Sequence, residues 1–201
     1  SVQINRVLDD NSNQLDAIFN FNALLLEHNV LPPVITQASN EVNLTSGQSI
    51  QFSDKVYRLL QPAHFVTSPP TWHSYLTMNY HKPKAPDSSL LPTTKDEVKV
   101  WNAALKKGWV AGLEQANTIF AANIARLNRD FEGMLLYKKL RSQSMVNKPV
   151  VATTNLGVTG DKRQLRLNET ILRITRNVGL TPNSRRWQPV LTHITPKSQR
   201  P

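Results

Sequence analysis

The stretch that decides the fold runs from Thr93 to Met145 and reads TTKDEVKVWNAALKKGWVAGLEQANTIFAANIARLNRDFEGMLLYKKLRSQSM. Thr94 lies three residues before Glu97, a spacing that predicts a capping box at the start of an α-helix. Apolar residues then recur at steps of three or four, the spacing of one stripe along a helix. The stripe consists of Val98, Trp101, Leu105, Trp109, Leu113, Ala116, Phe120, Ile124, Leu127, Phe131 and Leu135. We therefore predict a long amphipathic helix whose stripe forms the core on which the remaining chain packs.

Three glycines lie within this stretch. If it were unbroken, a helix over residues 93–145 would span roughly 75 Å at ~1.5 Å per residue, longer than a compact domain of this size. Glycine also destabilises a helix interior. We therefore predict a break or kink at Gly108, Gly112 or Gly133, which would give a pair of helices.

The segments before this helix predict shorter elements. Apolar residues over 7–26 approximate helical spacing, and the two prolines that follow are expected to end that helix. Residues 42–44 and 50–52 alternate apolar with polar, and the Ser-Gly pair between them favours a turn, so we predict a β-hairpin. A short extended piece at 64–67 and a short helix capped by Thr71 complete this part.

After the long helix the pattern predicts strands and then a tail. Residues 150–152 form a candidate strand and 155–160, with two glycines, a loop. Segments 165–167 and 172–174 predict a second hairpin that turns at 168–169, with one apolar and one strongly basic face. Beyond Gly179 the chain carries prolines at 182, 189 and 196 with little periodicity, typical of an extended segment.

Together these patterns predict an α+β fold in which long amphipathic helices pack with short β-hairpins and an extended C-terminal tail follows. We assign residues 1–176 to a single domain and residues 177–201 to the tail, held, if anywhere, by Trp187.

The net charge of +10 is unevenly distributed over the 201 residues. From Met134 to the end there are thirteen Lys and Arg against two acids, Asp161 and Glu169. A basic end favours an acidic partner, which could be a protein, a nucleic acid, a lipid head group or a cell-wall polymer. The sequence has no cysteine, which excludes disulfides and thiolate metal sites. No apolar run approaches the ~20 residues that span a bilayer.

The groups that could perform chemistry form no recognisable motif. The sequence lacks G-x-S-x-G, a P-loop and a dinucleotide fingerprint. His64, His73 and His81 are too widely spaced for a typical zinc site. Asp130 and Glu132 lie two residues apart, so on a helix they point to different sides. We therefore predict no catalytic, cofactor-binding or metal-binding residues. A basic nucleic-acid-binding module remains an alternative, although the basic region has few aromatic residues on which bases could stack.

Many short blocks of the sequence recur together in one known family. They are LDAIFNFN at 15–22, LEHNVLPP at 26–33, QPAHFV at 61–66, PPTW at 69–72, GW at 108–109, QAN at 115–117, IARL at 124–127, LGVTGD at 156–161, LRIT at 172–175 and WQP at 187–189. In this order they resemble the DotC family, lipoproteins of type IVB (Dot/Icm) secretion systems that include the TraI proteins of I-type conjugative plasmids. The family usually carries a longer charged segment before the tryptophan block, whereas residues 177–186 are short here.

The resemblance implies a non-enzymatic scaffold in the core complex of the secretion machine, without cofactors. It implies assembly with DotD-like and DotH-like proteins, help in placing the latter at the outer membrane, and a ring of further copies. It also implies a position on the periplasmic side of the outer membrane of a Gram-negative bacterium, through an N-terminal lipid that this chain does not contain. Direct binding of nucleic acid is not expected from the resemblance.

A subunit of a ring is expected to display interface anchors. Aromatic residues that prove to be exposed are candidates, and so is the basic face of the second hairpin. The partner-binding candidates are Trp72, Tyr75, Tyr80, Arg166, Arg173 and Trp187.

Overall fold

The computed structural model describes residues 2–46, 49–77 and 84–187. Helices α1 to α4 are Val2–Asp10, Ser12–Ile18, Trp72–Leu76 and Lys95–Ser142. Strands β1 to β6 are Val30–Leu31, Val34–Ser46, Ser49–Gln61, His64–Phe65, Val150–Gly160 and Leu165–Arg176. A long helix combined with antiparallel strand pairs confirms the predicted α+β class.

The chain forms two compact units. The first comprises residues 1–21 and 70–129, and the second comprises residues 22–69 and 130–201. Helix α4 therefore contributes its first part to one unit and its last turns to the other. The boundary predicted between residues 176 and 177 stays a prediction.

Helix α4 runs without a break through all 48 of its residues, so the predicted kink and helix pair are wrong. A Cβ atom added at Gly108 or Gly112 would meet no other atom within 4 Å, and the helix continues through both positions. Glycine in a helix interior costs only about 1 kcal/mol relative to alanine. That amount is too small to interrupt a helix that is capped at its start.

The helix predicted over residues 7–26 is shorter and divided. It ends at Ile18 and is interrupted at Asn11, which separates α1 from α2. The Asn11 side chain donates a hydrogen bond to the carbonyl of Val7 at 2.7 Å. Because asparagine competes with the helical hydrogen bonds of its own backbone, the helix restarts after it. The remainder of the predicted helix contains a 3-10 turn at Phe21–Leu24, and a second 3-10 turn follows it at Glu27–Asn29.

The first unit has a small core. Its buried side chains are Phe21, Trp72, Leu76 and Leu127. Thr71 precedes α3 in an extended conformation, and its carbonyl accepts a hydrogen bond from the hydroxyl of Ser74 at 2.6 Å. This core unites α3 with the part of α4 that belongs to the first unit.

The second unit contains three antiparallel strand pairs, β1 with β4, β2 with β3 and β5 with β6. The pair β2–β3 confirms the first predicted hairpin, with Val42 opposite Phe52 and Leu44 opposite Ile50. Both strands extend well beyond the predicted segments. Residues 47–48 of the turn lie outside the described residues.

The second predicted hairpin has a different turn. Strand β5 includes residues 155–160, which were predicted to be a loop, and β6 continues through residues 168–169, which were predicted to be the turn. The chain reverses after Asp161, whose carboxylate accepts the backbone N–H groups of Arg163 at 2.7 Å and Gln164 at 2.9 Å. Asn168 instead forms a bulge with a φ of 57°. Both 161–164 and 168–169 contain residues that favour turns, and the chain turns at 161–164, where the Asp161 carboxylate accepts two backbone N–H groups.

The core of the second unit lies where the last turns of α4 meet the strands. It comprises Val30, Ile35, Ala63, Tyr137, Leu140, Val146 and Val178. Gly133 permits this packing, because a Cβ atom there would lie 2.5 Å from Cγ1 of Val34 and 3.0 Å from the carbonyl oxygen of Ile35. Gly133 is therefore a point of close approach between α4 and β2.

The segment after β6 is attached to this core. The Asn177 side chain accepts the N–H of Ala63 and donates to its carbonyl, each at 3.1 Å. Leu180 pairs with Val146 in an isolated bridge. Residues 188–201, which hold the larger part of the predicted tail, lie outside the described residues.

Candidate docking surface

The start of α4 is fixed by the predicted capping box. The Glu97 carboxylate accepts the N–H groups of Thr93 at 2.8 Å and Thr94 at 3.2 Å. In return the Thr94 hydroxyl accepts the N–H of Glu97 at 3.3 Å. The two backbone hydrogen bonds from Thr93 and Thr94 hold the pKa of Glu97 below its ordinary value. The helix is thus organised from its first turn.

The apolar stripe of α4 is open to solvent over the turns that follow. Leu105 is 57% exposed, Trp109 68% and Leu113 50%. The prediction that the whole stripe is core is therefore wrong for this part of the helix, although its distal residue Leu127 is buried. The physical reason is the missing kink. A helix that does not fold back at Gly108 creates no second helix to cover its own stripe.

The stripe has the geometry of a helix-docking surface. Val98, Trp109 and Phe120 are separated by eleven residues, which is three turns at about 3.67 residues per turn. The stripe therefore runs parallel to the helix axis instead of winding around it. Gly108 and Gly112 lie at one margin with open space beside them. Because these two residues have no side chain, the backbone of another helix can approach closely there.

The predicted site residues Trp72 and Tyr75 belong to the first unit. Trp72 is buried, and its indole N–H donates to a carboxylate oxygen of Asp16 at 2.7 Å. Tyr75 is half-buried, stacks on Phe21 with 5.9 Å between ring centroids, and has the Arg126 guanidinium 5.2 Å from its ring centre. Trp72 therefore does not meet the condition of exposure, and Tyr75 meets it only in part.

The other predicted site residues are spread along the chain. Tyr80 lies outside the described residues. Arg166 and Arg173 are exposed on β6, but seven residues of strand separate them by about 23 Å. Trp187 is partly exposed and donates its indole N–H to the carbonyl of Thr181 at 2.9 Å. The structure brings Trp72 and Tyr75 together on α3, and within the second unit it keeps Arg166 and Arg173 apart.

Sequence reasoning missed two exposed apolar clusters at the ends of the hairpins. One consists of Val42, Leu44, Ile50 and Phe52, and the other of Val158, Leu165 and Leu167. The first is visible in the sequence as two apolar pairs on opposite strands of a predicted hairpin. The second cluster is not visible in the sequence, because the pattern predicts the turn of this hairpin at 168–169 and not at 161–164.

The second unit contains a cavity with a basic lining. This cavity of about 430 Å³ has Lys138, Arg141 and Lys148 in its lining, with Glu27 as its carboxylate. Such a lining suits an anion better than it suits paired-acid chemistry. Over the described ranges, no group of three or more His, Cys, Asp or Glu is placed to hold a metal ion. Nor is any helix of the described chain long and apolar enough to cross a membrane.

Comparison with known families identifies the chain. A family described as type IV secretory system, conjugal DNA-protein transfer, matches residues 1–189. The chain belongs to this family. The match covers nearly the whole sequence and confirms the resemblance to the TraI and DotC proteins. The chain is therefore a component of a type IV secretion system of the conjugative kind. A search of the curated proteins gave no significant match.

Proposed function

We propose that this chain is a structural, non-catalytic subunit of the outer-membrane core complex of a type IVB secretion or conjugation system. In this role it assembles with DotD-like and DotH-like proteins and with further copies of itself, and assists the placement of the DotH-like subunit at the outer membrane. The observation that carries the proposal is the exposed stripe of α4 at Leu105, Trp109 and Leu113. Membership of the family indicates that the complex in question is a type IV secretion system.

The exposed stripe supports docking for energetic reasons. A contiguous apolar surface on a soluble protein commonly marks an interface. Trp109 is the largest side chain of the exposed part, and tryptophan is enriched among residues that dominate binding energy. The stripe also lies on a helix that is already formed and capped, so binding does not require the helix to be ordered first.

The partners and the membrane side are proposed from the family. The DotC-like blocks of the sequence support the proposal that the chain works with DotD-like and DotH-like subunits on the periplasmic side of the outer membrane. An N-terminal lipid alone would bind a membrane only marginally, so contacts with other subunits are expected to supply the remaining affinity.

Copurification from cells that express the whole core complex tests this function. Replacing Leu105 and Trp109 by serine should reduce recovery of the DotD-like and DotH-like subunits by at least about 30-fold, since two interface anchors contribute roughly 2 kcal/mol or more. The matched control replaces Val100 by serine, since Val100 is 71% exposed and lies nine residues from Trp109, on the opposite face of the same helix. The control should retain both partners. Equal recovery with the stripe variant and the wild type would refute docking through α4.

A further inference from the structure

The end of the β5–β6 hairpin combines exposed aliphatic side chains with cations. Val158 is 63% exposed, and Leu165 and Leu167 are each 67% exposed. These three residues, together with the turn at 161–164, are called the β5–β6 tip. Aliphatic residues with this much exposure contribute little burial energy to the fold in their present positions.

The strand register places the three aliphatic side chains on one face. Gly157 pairs with Glu169 and Thr159 pairs with Arg166, so Val158 lies opposite the bulged residues Leu167 and Asn168. Leu165 is two residues from Leu167 on the same strand and shares its face.

The charges around the tip are predominantly positive. Lys162, Arg163 and Arg166 are exposed. The carboxylate of Asp161 accepts two backbone N–H groups of the turn, and that of Glu169 accepts the Thr159 hydroxyl. Within the described part of the chain, the Arg166 guanidinium donates to a neutral group, the side-chain oxygen of Gln164, at 3.2 Å. The acids are thus engaged in shaping the hairpin, and the cations remain available.

We propose that the β5–β6 tip inserts into the interface of an anionic lipid membrane. Val158, Leu165 and Leu167 enter the boundary between head groups and acyl chains, while the neighbouring cations contact lipid phosphates. Membrane binding of this kind grows with buried apolar area and with attraction to anionic lipids. Long basic side chains can keep their charge at the head groups while their stems lie in apolar surroundings. The inference goes beyond the proposed assembly role, because it assigns a membrane contact to the folded chain itself.

A lipid surface fits this tip better than a nucleic acid or another subunit does. Nucleic-acid surfaces use cations with stacking aromatics, whereas the tip presents three aliphatic side chains on one face, with Arg166 on the other face and Lys162 and Arg163 in the turn. A two-stranded ribbon end is narrow and convex, and it offers a partner protein no pocket around which to pack. The fluid boundary of a bilayer requires no such complementary shape.

The other hairpin of the same unit provides a matched control. Leu44 and Phe52 at its end are each 76% exposed, more than the leucines of the β5–β6 tip. The residues beside them, Asn43 and Gln51, are uncharged. This end exposes apolar side chains without cations beside them. It therefore distinguishes membrane insertion that depends on charge from non-specific hydrophobic binding.

Flotation with lipid vesicles tests the proposal on the full chain. Wild type should float with vesicles of equal parts phosphatidylglycerol and phosphatidylethanolamine, and much less with phosphatidylcholine alone. Leu165→Ser with Leu167→Ser should weaken binding at least about tenfold. Arg163→Gln with Arg166→Gln should weaken it about 30-fold, at ~1 kcal/mol per cation. The control Leu44→Ser with Phe52→Ser should bind like the wild type. Circular dichroism verifies that each variant is folded.

A label provides an independent measurement. Because the chain has no cysteine, Leu167→Cys and Leu44→Cys each create a unique attachment point for an environment-sensitive fluorophore. Anionic vesicles should shift the emission of the label at 167 to the blue and leave that at 44 unchanged. The proposal is overturned if the wild type does not float, or if the tip and control variants lose binding equally. It is also overturned if the tip variants lose only DNA binding or only self-association, measured by filter binding and sedimentation velocity.

Discussion

Replacing Gly133 by alanine should destabilise the protein, although the same change elsewhere in α4 should stabilise it. The added Cβ would lie 2.5 Å from Cγ1 of Val34, and 3.0 and 3.1 Å from the carbonyl oxygen and nitrogen of Ile35. Val34 is fully buried, and Ile35 contributes backbone atoms, so neither can move aside without shifting β2. Overpacking of this kind costs about 1–3 kcal/mol, and the contacts here favour the upper end.

The higher helix propensity of alanine partly offsets this cost. Glycine to alanine in a helix interior is worth about 1 kcal/mol, so Gly133→Ala should lower the free energy of unfolding by a net ~2 kcal/mol. At Gly112, where nothing lies within 4 Å of the added Cβ, the full gain of about 1 kcal/mol should appear. For a chain of this length these values correspond to a fall in Tm of roughly 4–8 °C and a rise of roughly 2–4 °C.

Thermal and urea unfolding followed by circular dichroism measure both variants. A double-mutant cycle with Val34→Ala sharpens the assay, because removing Cγ1 should relieve part of the clash. The coupling between positions 34 and 133 should therefore be favourable by about 1 kcal/mol or more. Gly133→Ala with a Tm equal to or above the wild type, or a cycle with no coupling, would refute the close-approach explanation.

Three further predictions concern single polar groups. Asp16→Ala removes the acceptor of the Trp72 indole N–H and should lower the free energy of unfolding by about 1–2 kcal/mol. Asp16→Asn keeps an acceptor oxygen there and should lower it less. Urea unfolding distinguishes the two variants. Tyr137→Phe should leave stability unchanged or raise it by up to ~1 kcal/mol in the same assay, because the buried Tyr137 hydroxyl makes no hydrogen bond of normal geometry in the described structure, although Arg141 lies close enough to interact with it electrostatically. Burial also raises the pKa of Tyr137. The N–H groups of Thr93 and Thr94 lower the pKa of Glu97 in the folded protein. The stabilisation that Glu97 gives to the first turn of α4 is therefore complete above the pKa that Glu97 has in the unfolded chain, and it is lost as pH falls through the lower folded value. NMR of the Thr94 amide should show this transition in the wild type and not in Glu97→Gln.

Local patterns were sufficient where the deciding contacts are local. The capping box of Thr94 and Glu97 formed as predicted, because its donors and acceptors lie within one helical turn. The hairpin around Leu44 and Ile50 formed because the alternation of apolar residues leaves little choice of register. Membership of the secretion family also followed from the sequence, since its blocks lie along most of the chain.

The sequence was insufficient where a residue's role depends on distant neighbours. Gly133 resembles a helix breaker in the sequence, and only the position of Val34 shows that it is a contact point. The stripe at Leu105 and Trp109 indicates that an apolar face exists but not whether the same chain covers it. Trp72 was a candidate anchor because tryptophan is common at interfaces, yet the partner of its indole, Asp16, lies 56 residues earlier. The roles of Arg166 and Arg173 in assembly stay predictions.

The uncovered face at Leu105, Trp109 and Leu113 has a consequence for the biogenesis of the machine. In the proposed assembly role, a newly made copy without its partner subunits exposes this apolar surface to other proteins, so aggregation and degradation compete with assembly. Balanced synthesis of the partner subunits would then protect the chain, and a copy without partners should be short-lived.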